Sequence, residues 1–148
     1  MADRRVVLLV EDNPDDRDLT MRAFDRHGLA AQVAIAEDGE AALGYLLEPG
    51  PDGTLRPLPE VVLLDLKLPR IDGLEVLRRI RAADRTHLLP VVMLTSSVEE
   101  QDLVQSYALG ANSYVRKPVS FTEFIEAARQ LGVYWLELNR SAPRDPRA

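Results

Sequence analysis

Five side chains that could bind a cation and a phosphoryl group follow short apolar runs of the sequence. These runs cover 6–10, 61–64, 91–94 and 114–116, and the side chains are Glu11, Asp12, Asp65, Thr95 and Lys117. Each run is typical of a β-strand. Strands of a parallel sheet bring their carboxyl ends to one edge, where ligands of open α/β sheets bind. The sequence therefore predicts one pocket with three carboxylates, a hydroxyl and an ammonium.

This set of groups suits phosphoryl transfer. Carboxylate oxygens are preferred magnesium ligands, and three clustered carboxylates repel one another until a cation neutralises them. Asp65 is the best candidate nucleophile, because a carboxylate can attack phosphorus to form an aspartyl phosphate. Lys117 would offer a point charge to phosphoryl oxygens and Thr95 a hydroxyl donor. The sequence Lys117-Pro118 is also compatible with a cis peptide that aims the ammonium into the site.

Each of these residues also has an ordinary structural interpretation when it is taken alone. Glu11 and Asp12 could be a solvated turn or helix-cap pair, and Asp65 a loop or cap aspartate. Thr95 could simply end a strand, and Lys117 could be a surface lysine. Because the acids occur together at the ends of two strands, we favour the functional interpretation.

Composition limits the class of protein. The chain has 148 residues, enough for one domain, and its net charge of -6 disfavours direct nucleic-acid binding. No apolar run approaches the roughly 20 residues of a membrane span. The first five residues carry no signal-peptide pattern, so we expect a cytoplasmic protein. The absence of cysteine excludes disulfides and thiolate chemistry.

Strand and helix signals alternate five times along the chain. A second strand is predicted over 32–36, and helices are predicted over 14–27, 39–47, 73–83, 98–109 and from 120 onward. Right-handed crossovers then give a doubly wound, five-stranded parallel α/β sheet with helices on both faces. We expect one domain over 1–139 and a flexible tail over 140–148. An exposed Pro- and Gly-rich connector over 48–59 could be a mobile link or a partner contact.

Four motifs resemble those of the receiver domain of two-component response regulators over residues 5–139. They are Leu-Val-Glu-Asp at 9–12, Leu-Leu-Asp-Leu-Lys-Leu-Pro at 63–69, Leu-Thr-Ser at 94–96 and Tyr-Val-Arg-Lys-Pro at 114–118. The resemblance implies a flavodoxin-like fold and phosphotransfer from a histidine kinase to Asp65, with self-catalysed phosphorylation and dephosphorylation. It also implies Mg bound by Asp65, by the main-chain carbonyl of Lys67, and by Glu11 or Asp12. Of these two acids, Asp12 is the stronger ligand and Glu11 often acts through water.

The resemblance further implies a switch, in which Thr95 moves toward the phosphoryl group and Tyr114 changes rotamer. Lys67 and Ser97 match positions that tune access of water to the phosphoaspartate. More narrowly, the chain is similar to single-domain regulators that partner phytochrome-type histidine kinases. That similarity rests on the Leu-Pro-Arg-Ile-Asp-Gly loop, the connector, the stretch 110–114 and the ending from Phe121. It implies a red-light input, although no chromophore cysteine is present.

The residues after the last predicted helix are too few for an output domain. We therefore expect the signal to pass through an unknown downstream protein or through a change in assembly. One helical stripe there is interpreted as core. It comprises Phe121, Phe124, Ile125, Ala128, Leu131, Trp135 and Leu138. Further apolar residues near the end predict an isologous homodimer. Its predicted contact residues are Val133, Tyr134, Trp135 and Leu136. A monomer whose last turn packs locally or binds the kinase is the alternative.

Three other functions fit the sequence less well. A receiver-like interaction module that is never phosphorylated would be expected to lose one of the acidic, hydroxyl or lysine groups. An aspartyl phosphatase would need a second aspartate two positions after its nucleophile, where Lys67 stands. A nucleotide-binding fold would need a glycine-rich first turn, whereas residues 11–16 read Glu-Asp-Asn-Pro-Asp-Asp.

Overall fold

The computed structural model describes residues 5–26, 28 and 31–143 as five βα units. The strands are β1 Arg5–Val10, β2 Ala31–Ala36, β3 Val61–Leu64, β4 Val91–Thr95 and β5 Ser113–Arg116. The helices are α1 Pro14–Arg26, α2 Gly39–Leu47, α3 Gly73–Ala82, α4 Glu100–Ala108 and α5 Phe121–Val133, followed by a π-helical turn, Tyr134–Leu138. All strand pairs are parallel, in the order β2-β1-β3-β4-β5. The predicted fold class is confirmed.

The central strands are apolar because helices cover both faces of the sheet. All residues of β3 and β4 are buried, as expected for a parallel sheet with no solvent face. One core layer packs α2 and α3 against the sheet through residues such as Leu46 and Leu77. The other layer packs α1 and α5 through Phe24 and Ile125. The edge that carries the candidate site is therefore held from both sides.

Helix starts follow the capping residues of the sequence. Asp38 accepts a hydrogen bond from the Ala41 amide at 2.8 Å, and Asp72 accepts one from the Glu75 amide at 3.0 Å. Ser120 caps α5 as predicted, by accepting from the Glu123 amide. These side chains satisfy helix N-terminal amides that lack a partner within the helix. The predicted end of α1 at His27 lies outside the described residues.

The end of α5 departs from the predicted stripe. The π-helical turn contains a hydrogen bond from the Asn139 amide to the Tyr134 carbonyl, five residues back. This wider turn shifts the phase of the helix. As a result Leu136 is buried, whereas Leu138 at the end of the stripe is 65% exposed. The prediction that Leu136 adds surface to a dimer interface is therefore wrong, as is the core assignment of Leu138. Phe121, at the start of the stripe, is also exposed.

Helix α4 places its apolar side outward. Leu103, Val104 and Tyr107 are exposed, whereas the two buried side chains of the helix are Asp102 and Ser106. Helical spacing places these three apolar residues on one side of α4, but spacing alone does not say which side meets the sheet. Of these two polar side chains, Asp102 contacts Ser97 and Lys67 outside the helix, whereas the Ser106 hydroxyl donates to the Asp102 carbonyl within it.

The predicted connector is a loop with exposed residues at 51–55. The Gly50 amide donates to the Thr54 carbonyl at 2.8 Å, and Arg85 donates to the carbonyls of Leu46 and Arg56. Pro59 is buried where the loop enters β3. The predicted tail is described only to 143. In the described part of the chain, no helix is long and apolar enough to cross a membrane.

Candidate functional site

Main-chain hydrogen bonds continue past three strand ends and fix the site residues. The Glu11 amide donates to the Ala36 carbonyl at 3.0 Å, and the Asp65 amide donates to the Val10 carbonyl at 3.0 Å. The Lys117 amide donates to the Thr95 carbonyl at 2.7 Å. The backbone at these positions is thus part of the sheet, which gives the side chains a rigid support.

Gly73 lets the start of α3 approach the acceptor strand closely. Its amide donates to the Leu66 carbonyl at 2.8 Å. A β-carbon at this position would lie 2.3 Å from the Asp65 carbonyl oxygen and 2.7 Å from the Leu66 α-carbon. Only glycine fits without moving the backbone that carries Asp65.

The structure brings the three predicted acids together. One carboxylate oxygen from each of Glu11, Asp12 and Asp65 lies within 4.8 Å of the others. Glu11 and Asp65 are buried, whereas Asp12 is exposed, so the cluster opens toward solvent on one side. The Lys67 carbonyl accepts no hydrogen bond from the described residues. These oxygens fit a hard divalent cation such as Mg²⁺, which keeps several water ligands.

Lys117 lies at the centre of this pocket. Its Nζ donates to Glu11 Oε1 at 2.6 Å, to Asp16 Oδ2 at 2.7 Å and to Asp65 Oδ2 at 3.0 Å. The sequence did not single out Asp16, because it lies in the first turn of α1 and not at a strand end. An acidic first turn is also the usual complement to the helix dipole, so it carries no specific functional signal.

The site shifts the proton affinity of its own groups. Burial raises the pKa of Glu11 to about 7, assisted by the Asp65 charge and opposed by Lys117. Burial disfavours the charged form of Lys117, but hydrogen bonds to Asp16 and Glu11 outweigh it and raise the pKa of the ammonium. Lys117 is therefore a permanent cation at neutral pH.

A second polar network borders the acceptor. Asp102 Oδ2 accepts from Ser97 Oγ at 2.6 Å and lies 3.2 Å from Lys67 Nζ. Ser97 also donates its amide to Thr95 Oγ1 at 3.2 Å. The Ser97 hydrogen bond, aided by Lys67, lowers the pKa of Asp102. The buried Thr95 is thus joined through Ser97 to α4.

Tyr114 is half-buried against the core layer that contains α2 and α3. Its hydroxyl oxygen is buried and has no hydrogen-bond partner among the described residues. The rotamer change predicted for this residue remains a prediction. The suggested cis peptide before Pro118 is wrong, because every described peptide bond is trans.

Comparison with known proteins connects this geometry to a family. The family model for the response regulator receiver domain matches residues 7–129. The probable methanogenesis regulatory protein FilR2 of Methanothrix harundinacea is 44% identical over 136 residues, covering 92% of this chain and 86% of that protein. Response regulator Rcp1 of Synechocystis is 35% identical over 133 residues, covering 90% of each.

Solved structures agree with this match. The phosphorylated cyanobacterial phytochrome response regulator RcpA is 30% identical with a TM-score of 0.88, covering 95% of this chain and 100% of that one. The Mn(2+)-bound form of Rcp1 is 33% identical with a TM-score of 0.86, at 94% and 99% coverage. The bacteriophytochrome response regulator AtBRR is 52% identical with a TM-score of 0.71, at 94% and 100% coverage.

Proposed function

Because the chain belongs to the response regulator receiver domain family, we propose that it takes a phosphoryl group on Asp65 from a histidine kinase. The observation that carries the proposal is the 3.0 Å contact between Asp65 Oδ2 and Lys117 Nζ beside the acidic cluster. The phosphorylated state of RcpA, a structural relative, supports it.

The transfer needs little covalent chemistry from the protein beyond Asp65. A carboxylate oxygen of Asp65 forms the new bond to phosphorus while the bond from phosphorus to the kinase imidazole breaks, and the imidazole keeps that electron pair. Lys117 neutralises charge on the phosphoryl oxygens, and the Thr95 hydroxyl is available as a donor. The rigid strand ends hold these groups in place, so positioning and electrostatics account for catalysis.

Magnesium is the cation that we assign to Glu11, Asp12, Asp65 and the Lys67 carbonyl. When bound, it would supply positive charge for the phosphoryl oxygens. The acidic cluster and the Mn(2+)-bound form of Rcp1 support a divalent cation here. The preference for Mg²⁺ follows from oxygen ligands and an open coordination shell.

The kinase partner in this proposal is a histidine kinase of the phytochrome type. Phosphoryl transfer then takes place in the cytoplasm, where kinases use ATP. The support is the likeness to RcpA and AtBRR, which are described as phytochrome and bacteriophytochrome response regulators. The response then passes to a downstream protein through contacts of the receiver surface, with no direct nucleic-acid contact.

The proposal also includes a homodimer, whose interface is formed by the end of α5 and the π-helical turn that follows it. Tyr134 is 48% exposed, and Val133 and Trp135 are half-buried beside it. Trp135 meets the Tyr134 ring edge-on, with centroids 4.9 Å apart. Leu136, which is buried in its own chain, has no part in this interface. Such aromatic residues are common at the centres of protein interfaces.

The test is intact mass measurement after incubation with Mg²⁺ and a small acyl phosphate. We expect one phosphoryl group per chain, and none in Asp65→Asn. Asp72→Asn is the matched control, because Asp72 lies in the following loop and asparagine can still cap α3. Absence of the adduct from the unsubstituted protein, with acyl phosphate and with a phytochrome-type kinase, would favour a phosphorylation-independent interaction module.

A further inference from the structure

Within the described ranges of the chain, the ammonium of Lys117 has as many acceptors as it has protons. A lysine ammonium carries three N–H donors. The acceptors are oxygens of Glu11, Asp16 and Asp65, at 2.6, 2.7 and 3.0 Å. A phosphoryl oxygen can bind Lys117 only if one of these contacts is given up.

The three acceptors are not equivalent. Glu11 and Asp65 belong to the acidic cluster that fits a divalent cation, whereas Asp16 does not. A dication drawn to Glu11 and Asp65 repels Lys117 and competes with it for the same oxygens. Among the described residues, Asp16 is therefore the one carboxylate that contacts Lys117 from outside the cluster.

The first turn of α1 fixes Asp16 in this position. Asn13 Oδ1 accepts hydrogen bonds from the amides of Asp15 and Asp16, at 2.8 and 3.2 Å. Pro14 begins the helix, where its missing amide proton costs nothing. The side chain of Asp16 is only 22% exposed, so its ion pair with Lys117 is largely shielded from water.

We propose that Asp16 is a positioning residue that holds the Lys117 ammonium beside Asp65 when a cation occupies Glu11 and Asp65. Its contact leaves two N–H donors for the phosphoryl oxygens. Without Asp16, the Lys117 ammonium donates to Glu11 and Asp65 and competes with the cation for their carboxylate oxygens. This inference rests on the proposed function, because it assigns a role in the same phosphoryl-transfer site.

The experiment compares Asp16→Asn with Asp15→Asn. Both remove one negative charge from the same turn, but Asp15 is exposed and does not contact Lys117. Calorimetric titration should show that Mg²⁺ binds Asp16→Asn about tenfold more weakly than Asp15→Asn, the change expected for loss of a charge-assisted contact. At saturating Mg²⁺, phosphoryl incorporation should also be about tenfold slower.

Repeating the titration in a Lys117→Met background separates an effect of Asp16 through Lys117 from a direct effect of the Asp16 charge on the cation. There, the two asparagine variants should bind Mg²⁺ equally. A difference that persists without Lys117 would overturn the proposal, because Asp16 would then act on the cation directly. Equal binding of the two variants in the Lys117 background would also overturn it. Because these titrations use no phosphoryl donor, they decide the inference separately from the phosphoryl-acceptor proposal.

Discussion

The carboxylate of Asp102 on α4 accepts a hydrogen bond from Ser97 Oγ, two residues after the end of β4, at 2.6 Å. The same oxygen lies 3.2 Å from Lys67 Nζ, in the loop after Asp65. Asp102 is one of the two buried side chains of α4, and its contacts with Ser97 and Lys67 attach this helix to the rim of the site. The helix is thus linked directly to residues that flank the phosphoryl acceptor.

Removing this carboxylate should loosen α4. In Asp102→Ala, hydrogen exchange of α4 amides should become about tenfold faster, because charged hydrogen bonds contribute about 1.5–3 kcal/mol. Gln105→Ala is the control, since Gln105 is exposed on the same helix. Equal exchange in the two variants would mean that the Asp102 contacts do not hold α4.

Magnesium affinity should rise with pH. Burial raises the pKa of Glu11 to about 7, and a cation binds only the ionised carboxylate. Below that pH, Mg²⁺ binding should release protons, measurable by calorimetry in buffers of different ionisation enthalpy. In Glu11→Gln the release should disappear. Proton release that is the same in both proteins would assign it to another group.

The same raised pKa affects stability without metal. Because the folded state binds the Glu11 proton more tightly than the unfolded chain does, this stabilising contribution is fully present below 4.5, the ordinary pKa of a glutamate. It is lost as the pH rises through about 7. Denaturant unfolding at several pH values should therefore show that the free energy of unfolding declines less with rising pH in Glu11→Gln than in the unsubstituted protein.

Gly73→Ala should damage both stability and phosphorylation. Its β-carbon would meet the Asp65 carbonyl at 2.3 Å, and such overpacking costs about 1–3 kcal/mol or more. Gly44→Ala is the control, because a β-carbon there meets nothing within 4 Å. Alanine in that helix should stabilise by about 0.5–1 kcal/mol. Denaturant unfolding and intact mass measure the two effects, and a fully stable Gly73→Ala would contradict the close approach.

Tyr114→Phe should stabilise the unphosphorylated protein. The change removes a buried hydroxyl that has no partner among the described residues. This removal should raise the free energy of unfolding by about 1 kcal/mol. Tyr107→Phe, on exposed α4, should leave the free energy of unfolding unchanged. If Tyr114→Phe is instead destabilising, the hydroxyl has a hydrogen-bond partner in solution.

The proposed dimer predicts different results for two similarly exposed tyrosines. Tyr134 and Tyr107 are 48% and 50% exposed, so an aspartate at either position should leave the monomer folded. In sedimentation at micromolar concentrations, Tyr134→Asp should be monomeric, whereas Tyr107→Asp and the unsubstituted protein should be dimeric. A monomeric unsubstituted protein would remove the dimer from the proposal.

Local sequence determined the elements and the ends of the strands. Unbroken apolar runs such as 61–64 predict buried strands because parallel sheets have no solvent face, and Asp65 follows directly. Caps such as Ser120 marked helix starts through their own side chains. The convergence of Glu11, Asp65 and Lys117 also followed from sequence, because parallel strands share one carboxyl edge.

Tertiary structure decided the features that depend on how separate elements meet. Periodicity cannot say which side of α4 faces the sheet, and no local signal marks the π-helical turn that buries Leu136. The hydrogen bond from Lys117 to Asp16 joins residues 101 positions apart. Such contacts depend on packing across the whole domain, because only the folded sheet brings α1 beside the end of β5.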